Sequence, residues 1–79
     1  MSPTVFKSGA YRFYFSSNEE SRMHVHVQGP EGEAKFWLEP RIELARNFGM
    51  SDRAVTMLLS LIRDSRNEIV RAWQNHFGH

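Results

Sequence analysis

The chain predicts a two-layer α+β domain, an antiparallel β-meander of three to four strands packed against one long C-terminal helix. Three observations carry that expectation. Met23-His24-Val25-His26-Val27 alternates apolar and polar side chains with the period of a half-buried strand. Glu33-Ala34-Lys35-Phe36-Trp37-Leu38 follows across a Gly29-Pro30-Glu31-Gly32 turn, and folding the two runs together sets Val27 opposite Ala34, Val25 opposite Phe36 and Met23 opposite Leu38 on one face. Beyond residue 51, Val55, Leu59, Ile62, Ile69, Trp73 and Phe77 recur near every third or fourth position, which is the stripe of an amphipathic helix.

Taken in order, residues 1–10 read as a frayed lead-in in which Val5-Phe6-Lys7 has the makings of a short edge strand, not counted here. A strand near 11–16 alternates Tyr11, Phe13 and Phe15 with Arg12 and Tyr14. If Phe13 lies near Val25, Tyr14 lies beside His24 and Arg12 beside His26. Residues 16–22 form a polar link to the histidine strand near 23–28, which pairs with the strand near 33–38. The same register sets His26 beside Lys35 and His24 beside Trp37 on the reverse face. Residues 42–48 fit a fourth strand, with Leu38 opposite Ile42 and Phe36 opposite Leu44, although Ile42, Ala45 and Phe48 would also share a helical face. Gly49 ends that element, Ser51 is a natural N-cap, and the helix runs near 51–77 with its bend expected at Asp64-Ser65-Arg66-Asn67. A straight helix of that span would be about 40 Å long at 1.5 Å per residue, more than the sheet can cover. Trp73 and Phe77 therefore need a bend or a second copy of the chain over them, and a homodimer is the expectation.

Composition narrows the class. Seventy-nine residues make one small domain, 1–79, near the lower limit for independent folding. With no cysteine there is no disulfide, thiolate metal site or cysteine nucleophile. The absence of a long apolar run argues against a signal peptide or membrane span, and a cytoplasmic location is expected. Ten Lys and Arg against nine Asp and Glu give a net charge of +1, which lacks the basic excess of a nonspecific nucleic-acid binder.

Several segments together resemble a known family. They are Tyr14-Phe15-Ser16-Ser17-Asn18, His24-Val25-His26-Val27, Ala34-Lys35-Phe36-Trp37-Leu38, Leu44-Ala45-Arg46-Asn47-Phe48-Gly49 and Ala72-Trp73. In that order they are similar to a small bacterial domain-of-unknown-function family across roughly residues 11–78. Arg22-Met23 departs from the prolines its members often carry before the first histidine. The resemblance implies an α+β domain, often encoded beside another small protein in a toxin–antitoxin-like pair, and it implies no established reaction.

The candidate chemistry gathers on the reverse face of the meander: Arg12, Tyr14, His24, His26, Lys35 and Trp37. His24 and His26 project to one side and would serve a metal if Glu33, Glu43 or His76 supplied a third ligand. They would equally serve as acid and base in RNA cleavage, with Arg12 and Lys35 on the phosphate. As a stacking and charge platform, the six suit single-stranded nucleic acid or a protein interface. The plain alternative is that they are amphipathic side chains covering sheet surface. Arg63, Arg66 and Arg71 read as a solvated helix face. The near-neutral charge favours a protein partner, so the expectation is a noncatalytic protein-binding module with no cofactor and no metal.

Overall fold

A computed structural model describes residues 4–16 and 21–78. Its elements are β1 (Thr4–Ser8), β2 (Tyr11–Tyr14), β3 (His24–Gly29), β4 (Gly32–Trp37), β5 (Glu43–Phe48), α1 (Asp52–Asp64) and α2 (Arg66–Phe77). The strands form one antiparallel sheet in chain order, each paired with the next, so the meander is as expected but has five strands. The additional strand is β1, where a frayed lead-in was expected. It is held because Phe6 stacks on Phe13 across the ladder, centroids 4.3 Å apart, while Arg12 Nε donates to Thr4 Oγ1 at 2.8 Å. The centre of the polar link, residues 17–20, lies outside the described residues.

The β3–β4 register is the expected one: Val27 faces Ala34, Val25 faces Phe36, His26 lies beside Lys35 and His24 beside Trp37. The ladder runs through Gly29 and Gly32, so the four-residue turn tightens to Pro30 and Glu31. The β2–β3 register corrects the expectation by two residues. Phe13 faces Val27, so Tyr14 lies beside His26 and Arg12 beside Gln28. A slip of two leaves each side chain on its own face, so apolar alternation could not distinguish the two registers.

Residues 43–48 are a strand, with Phe36 opposite Leu44 as expected, while Leu38 and Ile42 lie beyond the ladder. The register shifts between Lys35 and Phe36, leaving Ala45 as an extra residue: Leu44 faces Phe36 but Arg46, not Ala45, faces Lys35. This bulge reverses the alternation, carrying Arg46 and Phe48 to the reverse face and Asn47 to the helix side. Leu44, expected in the core, is 39% exposed on β5, an edge strand with no described strand beyond it.

The single long helix is also corrected. Ser65 leaves helical geometry at φ −105° and ψ 12°, at the expected bend, and separates two helices. Ser51 caps α1, its hydroxyl accepting from Ala54 N at 3.1 Å. The core lies between helices and sheet, with Phe13, Phe15, Val25, Val27, Phe36 and Leu38 packed against Leu58, Ile62, Ile69 and Trp73. The break lets Trp73, 2% exposed, reach Phe15 edge-on at 5.4 Å, so this ring is covered within the chain. Among the described residues no helix is long and apolar enough to cross a membrane.

Candidate binding face

With both helices on one side, no described element covers the other side of the sheet, and strand pairing arranges its side chains in cross-strand rows. One row is Thr4, Tyr14, His26, Lys35 and Arg46, and the next is Lys7, Arg12, Gln28, Glu33 and Phe48. A shorter third row holds His24, Trp37 and Glu43. The meander therefore brings Arg12, Tyr14, His26, Lys35 and Trp37 together on one surface.

Aromatic and cationic groups on this face pack against one another. Tyr14 stacks with His26, centroids 5.1 Å apart and planes 18° from parallel, and the Arg12 guanidinium lies 4.7 Å from the Tyr14 centroid. Trp37 has the Arg22 guanidinium 4.1 Å and the Lys35 ammonium 4.5 Å from its centroid. Such contacts are worth about 0.5–1 kcal/mol each at exposed sites. Arg12 also donates to Gln28 Oε1 at 3.3 Å, Tyr14 Oη to Glu33 Oε1 at 3.4 Å, and Arg22 Nε to the Glu39 carbonyl at 2.9 Å. Arg22 and Glu43 form an ion pair at 3.5 Å.

His24 departs from the expectation. Alternation places it on the open side, yet it is fully buried. At the start of β3 its ring meets Trp37 at 5.8 Å and His26 at 5.2 Å, while Trp73 of α2 closes over it at 5.1 Å. Its Nδ1 lies 2.6 Å from the Arg22 carbonyl, an acceptor only, so Nδ1 carries the hydrogen and donates it. His24 thus anchors the backbone of Arg22 and supports Trp37 from below, out of reach of a solvent-side ligand. Among the described residues no three His, Asp or Glu side chains gather where an ion could be held.

Several members of the face were not anticipated from sequence, among them Arg22, Lys7, Arg46 and Phe48. Arg22 and Lys7 were legible by alternation, two positions before His24 and one after Phe6. Arg46 and Phe48 were not, because the bulge at Ala45 reverses their side. Phe48 is 63% exposed at the edge of the face.

These features define a class: small α+β domains whose antiparallel sheet carries helices on one side and an open aromatic and basic face on the other. The chain belongs to the family described as a domain of unknown function, DUF4160, whose family model matches residues 10–74. No curated protein and no solved structure matches it significantly.

Proposed function

We propose that this protein is a noncatalytic protein-binding module whose working surface is the open face of the sheet. The observation that carries the reading is the unequal exposure of the two neighbouring histidines. His26 stands on the face with Arg12, Tyr14, Lys35 and Trp37, whereas His24 is buried beneath it. Acid–base catalysis by the pair needs both rings within reach of a substrate, which the fully buried His24 ring does not offer. What is left on the face is a cluster of Trp, Tyr, Arg and Lys, of which Trp, Tyr and Arg are the residues enriched as anchors in protein interfaces.

Base stacking is less well served. Tyr14 and Trp37 already have His26, Arg12, Arg22 and Lys35 against their rings, whereas a stacking platform offers bare ring faces. A cytoplasmic setting rests on the composition, whereas a bacterial origin and a partner encoded alongside, in a toxin–antitoxin-like or regulatory pair, rest on the family resemblance. Self-association through the end of α2 would rest on Phe77, since Trp73 is covered within the chain.

The test is a pull-down from native extract with tagged wild type, Trp37→Ala and the helix-side variant Arg63→Glu, each checked for fold by circular dichroism. One stoichiometric protein should be retained by wild type and Arg63→Glu and depleted about tenfold with Trp37→Ala, as for a truncated anchor. Recovery of RNA without a protein, or of a protein indifferent to Trp37, would overturn the reading.

A further inference from the structure

Charge is unevenly distributed over this molecule. In the two long rows of the open face, Lys7, Arg12, Lys35 and Arg46 stand against one carboxylate, Glu33. The rest of the described chain balances, six cations against six carboxylates, and the Arg22–Glu43 pair is among them. The small net charge of the chain therefore conceals a face with a clear positive excess.

We propose, building on the binding-module reading, that this face docks an acidic protein segment carrying one apolar anchor. Its carboxylates would meet Arg12, Lys35 and Arg46, and its anchor would meet Phe48. Arg12 is already immobilised by Tyr14, Thr4 and Gln28, so little of its freedom remains to be lost on binding. Phe48, projecting from the face beside Glu33 in the ladder, offers apolar surface next to the cations. Glu33 selects against a polynucleotide, which brings a phosphate at every residue, whereas a peptide can leave the position over Glu33 uncharged. Docking is across the face and not along an edge. Both edge strands carry register shifts, between Thr4 and Phe6 in β1 and at Ala45 in β5, and bulges turn an edge away from strand addition.

The experiment is a fluorescence-anisotropy titration of the full chain with a labelled peptide of glutamates flanking one phenylalanine, beside a labelled oligouridylate of equal charge. Saturable peptide binding is expected, weakened by salt and weakened about tenfold or more by Lys35→Glu/Arg46→Glu, with Arg63→Glu/Arg66→Glu unchanged. Arg46→Glu alone, at an exposed edge position, repeats the test should the double variant misfold. No saturable binding, equal loss with the helix-side variant, or tighter binding of the oligouridylate would overturn the inference. If the peptide fails while the pull-down partner still depends on Trp37, the acidic chemistry falls and the module stands. If neither responds, both fall.

Discussion

Gly32 is where the chain tolerates no side chain. A Cβ there would collide with the carbonyl of Phe48, at the end of β5 beside the start of β4, and Gly49 follows at φ +94°. Gly32→Ala should destabilise the fold by roughly 2–3 kcal/mol, the range of an overpacked site that must move backbone, read as a lowered denaturation midpoint. Asn47 closes the same corner, donating to the Met50 carbonyl at 2.9 Å and accepting from Met50 N at 3.0 Å. Beside the hairpin, the Tyr11 phenol is pushed above its usual value, first by loss of water and then by the charge and hydrogen bond of Glu31. The folded chain keeps this proton where the unfolded chain has released it, so the contribution is present below about pH 10 and fades as pH rises through the folded value. Wild type should therefore lose melting temperature more steeply than Tyr11→Phe above that pH.

Among the elements, α2 depends most on tertiary packing. Its apolar stripe is short, and Ser65 provides no side-chain cap at its start. Trp73 joins it to the sheet through Phe15 and His24, and Phe77 lies 4.2 Å from Trp73 by ring centroid. Trp73→Ala should cost about 3–5 kcal/mol by the usual scale for a deleted core aromatic. Phe77→Ala, at a half-buried position, should cost less, and urea denaturation followed by circular dichroism measures both. For α1, Ser51→Ala should cost about 1 kcal/mol by removing the bond to Ala54 N.

At the scale of the whole molecule, the packed core and the proposed binding face lie on opposite sides of one sheet. The core joins the inner face to the helices, while the outer cations contribute mainly through exposed contacts. Arg46→Glu should therefore shift folding stability by no more than about 0.5 kcal/mol, the usual range for a surface change. Thermal melts of wild type and this variant should coincide while their affinities for an acidic peptide diverge. A fall in stability comparable to the loss of binding would place Arg46 in the fold and not at its surface.

The meander, the β3–β4 register, the Ser51 cap and the break near Ser65 were all legible in the chain, because period-two alternation, turn glycines and capping chemistry act between near neighbours. So was the common face of Arg12, Tyr14, His26, Lys35 and Trp37. Three features depended on contacts between distant segments. The β2–β3 offset left every residue on its face, so alternation was blind to it. The bulge at Ala45 brought Arg46 and Phe48 to the open face against their apparent period. His24 has the alternation of a surface residue, yet it is buried, with Trp73 from the far end of the chain packed against it beside Trp37 and His26. Local pattern specifies which way a side chain points, whereas what covers it depends on segments that meet only when the chain has folded.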